Sequence, residues 1–130
     1  MDMTFTLGPG ARVDGQAGPF TIATDQPPDS SAPTPFTLFL ASIGACAAFY
    51  VQTFCRQRAI PVDGINVMQR NVAGPSGLVE RVHLTVELPP DFPVRYRDAV
   101  IRAAEQCTVK KHLEHPPQID VGALVLEPSW

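Results

Sequence analysis

The chain has 130 residues, 45% of them hydrophobic and 18% charged, with a formal net charge of −3. That length suits a single domain over residues 1–130, burying roughly two thirds of its unfolded surface. The balance lacks the basic footprint that nucleic acid requires, and three cysteines make an odd count that fits no secreted disulfide framework.

In chain order, Met1-Asp2-Met3-Thr4-Phe5 offers no basic segment followed by an apolar run, so no signal peptide is expected and the cytoplasm is the expected compartment. In a reducing cytosol a cysteine pair is more often catalytic or redox-sensing than structural. Residues 3–24 read as short strands broken at Gly8-Pro9-Gly10 and Gly18-Pro19, with Arg12, Asp14 and Gly15 in or beside the first hairpin. Residues 25–33, rich in proline, serine and aspartate, read as a loop.

A long helix is expected next. Thr34 can cap it, and Pro35 fits the first helical position, where a missing N–H does no harm. It should run to about Arg58 and stop before Pro61. Its apolar residues lie on all sides, so burial on all sides is expected, which a symmetric dimer supplies more easily than a monomer. Thr37, Ser42, Gln52 and Thr53 interrupt the run and argue against a membrane span.

Two strands should follow, over 65–72 and 78–88, joined by a turn at Gly74-Pro75-Ser76-Gly77. The second alternates, with Val82, Leu84, Val86 and Leu88 on one face and Arg81, His83, Thr85 and Glu87 on the other, the mark of a sheet wet on one side. Pro89-Pro90 ends it. A second helical stretch begins near Asp91 to Pro93, and Tyr96, Val100, Ala103 and Cys107 form its expected buried stripe. Pro116-Pro117 breaks a short basic continuation, and residues 119–126 should close the chain as a strand. Strands, helix, strands, helix pair and strand make an α+β fold.

The chemistry lies with the cysteines. Cys46 and Cys55 are nine positions apart on one helix, on opposite sides and roughly 13 Å apart along its axis. A disulfide needs Cα atoms within about 7 Å. Cys107 is therefore the partner of one of them. Cys46, flanked by Gly44, Ala45, Ala47 and Ala48, allows close approach of another helix and is the favoured partner, while Cys55 beside Arg56 and Arg58 reads as structural. A thiol in apolar surroundings is inert unless something favours its thiolate. Cys46 lies about eleven residues past its helix start, beyond reach of that helix's dipole. A cation is the expected activator: Lys110 or Lys111 after Cys107, or Arg12 from the first strands. The bland reading of each cysteine is a core residue, since free cysteine is among the most buried types. His112 and His115 lack the further ligands a metal needs, and neither metal nor cofactor is expected.

Pro33-Thr34-Pro35-Phe36, leading through Leu40-Ala41-Ser42-Ile43-Gly44-Ala45-Cys46, together with Ala103-Ala104-Glu105-Gln106-Cys107, resembles the osmotically induced and organic hydroperoxide resistance proteins, the OsmC/Ohr superfamily. The order of elements agrees over nearly the whole chain. The resemblance implies an OsmC-like α+β fold and an intertwined homodimer with active sites at the subunit interface. By position it makes Cys46 the peroxidatic thiolate, Cys107 the resolving thiol and Arg12 the activating guanidinium. It also implies an organic hydroperoxide as substrate and a dithiol, lipoyl-type in some relatives, as reductant. The chain looks like a divergent branch. The hydroperoxide reductases carry a glutamate ten residues before the first cysteine, where Phe36 stands here, and a proline and an aromatic after the second, where Thr108 and Val109 stand.

Two functions follow as expectations. The first is a thiol-dependent peroxidase acting in oxidative-stress defence. The second is a non-catalytic or redox-sensing dimer holding an apolar ligand at its interface, which Phe36 in place of the acid favours.

Overall fold

The computed structural model describes residues 1–128. Strands β1 (Met3–Leu7), β2 (Val13–Ala17) and β3 (Phe20–Thr24) form one antiparallel sheet in the order β1-β2-β3. Phe5 lies opposite Gly15, and a Cβ on Gly15 would come within 2.6 Å of the Phe5 ring, so only glycine lets the ring lie on the β2 backbone. Asp25 closes the sheet onto the following loop. Its carboxylate accepts from the Gln26 N–H at 2.8 Å, the Ser31 N–H at 3.0 Å and the Ser31 hydroxyl at 2.5 Å. These donors hold its pKa below the ordinary carboxylate value.

Helix α1 (Pro35–Gln57) begins as the sequence dictates. Thr34 is extended, its hydroxyl accepts the Thr37 N–H at 3.1 Å, and Pro35 occupies the first turn. By length and mean hydropathy, 1.7, α1 is apolar enough to cross a membrane. Here its buried stripe, Ile43, Ala47, Val51 and Phe54 with Cys55, faces the rest of the chain. The expectation of burial on every side is not met within one chain, because Phe36 and Phe39 in the first turns and Phe49 on the far side stay exposed.

Strands β4 (Asn66–Ala73) and β5 (Val79–Glu87) form a two-stranded antiparallel hairpin. Gln69 of β4 reaches onto α1, donating to the Leu40 carbonyl at 2.9 Å. Its amide oxygen fills the space that a side chain on Gly44 would occupy, at 2.3 Å from the place of a Cβ. Gly44 thus lets the hairpin dock two residues before Cys46.

A single 3₁₀ turn (Val94–Tyr96) leads into α2 (Arg97–Ala104), and α3 (Thr108–Glu114) follows. Val51, Phe54 and Cys55 of α1 meet Phe92 and Val100 in the core. Arg58 folds back over Phe54, its guanidinium carbon 3.7 Å from the ring centroid, and covers the core's open end.

Two expectations are corrected. The second helix does not run through Cys107. It ends at Ala104, and Cys107, with φ −50° and ψ 124°, is the extended residue from which α3 starts, its carbonyl accepting from the Lys111 N–H. The periodic stripe was right about burial but blind to this break. The strand expected over 119–126 does not form either, for residues 116–128 carry neither helix nor strand. Among the described residues nothing pairs with that segment, and Ile119, Val121, Leu124, Val125 and Leu126 are all at least 80% exposed. A strand without a neighbour has no ladder to hold it.

Phe92, only 3% exposed, is the core's most sensitive probe. Phe92→Ala should cost about 3–5 kcal/mol, a large part of a domain's stability. Urea denaturation checks this: a midpoint lowered with unchanged slope is expected.

Candidate active site

Helix α1 presents Ile43, Cys46 and Tyr50, at spacings of three and four, along one face. The junction between α2 and α3 lies against that face. The Cys107 thiol is buried, 2% exposed, and 3.9 Å from the Ile43 carbonyl oxygen. One turn on, the Tyr50 hydroxyl pairs with the Thr108 hydroxyl at 2.8 Å. Between these two contacts lies the half-buried Cys46, near enough to the Cys107 thiol and the backbone amides of Thr108 and Val109 for them to act on its ionisation. The structure therefore brings Cys46 and Cys107 together, as both free thiols.

The electrostatics favour charge on one sulfur only. Burial pushes the Cys46 thiol up, but the Val109 amide, the Cys107 thiol and the Thr108 amide all stabilise its thiolate and bring it below the ordinary thiol value. Together these donors outweigh the desolvation of a half-buried thiol. Cys107 moves the other way. Burial raises it first, and its hydrogen bond and charge repulsion with Cys46 raise it further, against the amides of Lys110 and Val109. Its single S–H cannot serve both Ile43 and Cys46. With Cys46 ionised, the charge-assisted bond between the sulfurs is the stronger; with Cys46 neutral, the Ile43 carbonyl takes the proton.

Sequence reasoning expected a cation here, and the near groups are amides instead. The Lys110 ammonium lies 3.9 Å from Glu114 in an exposed i,i+4 pair, and it is the Lys110 amide that reaches Cys107. Arg12 donates to Asp14 at 2.8 Å and to Ser31 at 3.0 Å, and is not among the groups that act on the Cys46 thiol within the chain. Cys55 is fully buried in the core, and burial raises its pKa. Tyr50 and the two amides were missed. A backbone donor leaves no mark on sequence, and Tyr50 at four residues past Cys46 was the one legible hint.

A cavity of about 420 Å³ opens beside Cys107, between β5 and the three helices. Ile43, Val67, Leu84 and Ile101 make its walls apolar, with His83, Glu105 and Lys110 as the polar lining. Such a chamber suits a small, mostly apolar molecule. Among the described residues no group of three or more His, Cys, Asp or Glu side chains is placed to hold a metal ion.

A family model described as OsmC-like protein matches residues 28–122, and the chain belongs to that family. No curated protein matches it. Among solved structures it is similar to a Psychrobacter arcticus protein named for an osmotic stress induced and detoxification response, with 20% identity, TM-score 0.70, and 84% of this chain and 85% of that one covered. An OsmC like protein from Mycoplasma pneumoniae matches with 15% identity, TM-score 0.66 and coverage of 88% and 87%. An OsmC-like hydroperoxide resistance protein from Jannaschia sp. CCS1 matches with 20% identity, TM-score 0.54 and coverage of 95% and 90%. At these identities the likeness carries the fold, α+β with antiparallel sheets and three helices.

The pH dependence of Cys46 follows from its surroundings. Because its thiolate is favoured, its alkylation by iodoacetamide should rise with pH and level off at lower pH than an ordinary thiol's. Cys107→Ala removes one donor and should move that profile to higher pH. Peptide mapping of the alkylated protein reads Cys46 apart from the buried Cys55.

Proposed function

We propose that this protein is a thiol-dependent peroxidase that reduces organic hydroperoxides in oxidative-stress defence. The observation that carries the reading is the placement of Cys107 and the start of α3 against the Cys46 face of α1, where the surroundings favour a thiolate at Cys46 and a thiol at Cys107. That is the division of labour a two-cysteine peroxidase needs. The Cys46 thiolate attacks the terminal peroxide oxygen, the O–O bond breaks, and the alkoxide leaves and takes a proton to become the alcohol. The sulfur is oxidised to sulfenic acid and the peroxide is reduced. The Cys107 thiol then attacks the sulfenic sulfur, a disulfide forms and water leaves. An external dithiol, possessing the chemistry of a lipoyl group, returns both thiols by exchange and becomes a disulfide itself.

The apolar cavity beside Cys107 supports an organic rather than an inorganic peroxide. The Jannaschia relative is named for hydroperoxide resistance, which agrees with the reading. A homodimer belongs to it as well. Phe36, Phe39 and Phe49 on α1, Met3, Phe5 and Leu7 on β1, and the apolar side chains of 119–126 form more exposed hydrophobic surface than a small monomer carries. In that assembly Arg12 of a second copy is the guanidinium proposed to meet the peroxide. A cytoplasmic location belongs to the same reading, since a reducing compartment keeps a reactive cysteine pair in its thiol form. The second reading, a redox-sensing dimer that holds an apolar ligand, is favoured by Phe36 alone and uses the same cavity.

Mass spectrometry after a substoichiometric dose of an alkyl hydroperoxide separates the two. The peroxidase consumes the peroxide and forms a Cys46–Cys107 disulfide, while Cys107→Ser stops at a Cys46 sulfenic acid that dimedone traps. Peroxide left intact with both thiols reduced would remove the peroxidase reading.

A further inference from the structure

We infer that Tyr50 and Thr108 are positioning residues for the thiol chemistry, their paired hydroxyls latching the start of α3 onto α1 so that Cys107 and the Thr108 amide stay against Cys46. The inference rests on the peroxidase reading for its catalytic consequence and deepens the account of that same site.

The geometry gives the pair this role. Between the end of α2 at Ala104 and the start of α3 at Thr108 the junction keeps only helix-end bonds, Glu105 N–H to the Ile101 carbonyl, Gln106 N–H to the Ala103 carbonyl and Lys111 N–H to the Cys107 carbonyl, none of which ties it to α1. α3 is only seven residues long, too short to be stable alone. Two side-chain contacts tie its start to α1. The first is the Cys107 thiol on the Ile43 carbonyl at 3.9 Å, a long and weak bond that must be given up when Cys107 turns to Cys46. The second is Tyr50 to Thr108 at 2.8 Å, which does not involve either sulfur and so persists through the reaction. Ile43 and Tyr50 bracket Cys46 on one helix face, three residues before and four after. The latch therefore fixes the junction on one side of the reacting sulfur while the other side is free to exchange.

Thr108 also sits at a position where two of its groups act at once. Its hydroxyl engages Tyr50, and its backbone amide is among the groups that favour the Cys46 thiolate. Holding the side chain sets the direction of the amide. On the other side the Thr108 carbonyl is held by the His112 ring nitrogen at 2.7 Å, so the peptide units flanking Thr108 have little freedom to turn away. Proline at this position would keep the helix start, being well suited to the first helical residue, yet it would delete both the N–H and the hydroxyl.

The latch is exposed to solvent, so water competes for both hydroxyls and each loss is modest. Tyr50→Phe and Thr108→Val should each slow Cys46 alkylation below its midpoint pH, and slow closure of the Cys46–Cys107 disulfide after peroxide, by about two- to fivefold. Thr108→Ser keeps hydroxyl and amide and should match the wild type. Thr108→Pro should lose more than either. Combining Tyr50→Phe with Thr108→Val should be no worse than one alone, because either change breaks the same bond. Circular dichroism identifies any variant that fails to fold, and Tyr50→Phe, the mildest change, then decides the matter. Wild-type pH profiles and closure rates in Tyr50→Phe, an effect in only one of the two single variants, or additive losses in the double variant would each overturn the latch. Alkylation needs no peroxide, so a wild type that consumes none defeats the peroxidase reading and still tests the latch.

Discussion

The site depends on the contact between the middle of α1 and the point where α3 begins. Cys46 alone would be an inert thiol, because burial favours its neutral form and α1 is too long for its own dipole to help. The amides of Thr108 and Val109 and the Cys107 thiol reverse that balance. They do so only because Cys107 interrupts the helical run. In a continuous helix, the N–H groups of residues 108 and 109 would be spent on intrahelical carbonyls. The break frees them for the sulfur.

The rest of the fold holds this contact in place. Val51, Phe54 and Cys55 fasten the second half of α1 to Phe92 and Val100, so α2 approaches α1 at a set height and delivers Cys107 opposite Cys46. On the other side Gln69 enters the notch at Gly44 and ties the β4–β5 hairpin to the turn before Cys46. Both anchors lie within α1, which explains why one long helix, rather than a loop, carries the reactive residue. The activated group gains rigidity from the core and polarity from a neighbour's backbone.

Much of this was legible in the residues. Thr34-Pro35 placed the start of α1, the alternation over Val82 to Leu88 placed β5, and small residues around Cys46 correctly indicated a close approach by the segment bearing Cys107. The break at Cys107 was not legible, since Glu105-Gln106-Cys107-Thr108 holds no glycine or proline to announce it. The activating groups were hidden for a related reason. Sequence displays side chains, so the search for positive charge settled on Lys110, Lys111 and Arg12, whereas the nearest donors are backbone amides that any residue but proline supplies. The 119–126 strand was read from local pattern alone, and among the described residues no strand pairs with it. Phe36, Phe39 and Phe49 likewise looked like core because α1 is apolar throughout, and only tertiary packing decided which face the single chain covers.

The central claim, a Cys46 thiolate stabilised by α3 and Cys107, is tested most directly by following the thiolate's ultraviolet absorbance in the reduced protein as pH is raised. The account predicts one thiolate appearing before the others, with a midpoint below the ordinary thiol value, and its loss in Cys46→Ser. Three thiols ionising together at or above that value, with Cys46→Ser leaving the first part of the curve unchanged, would contradict it.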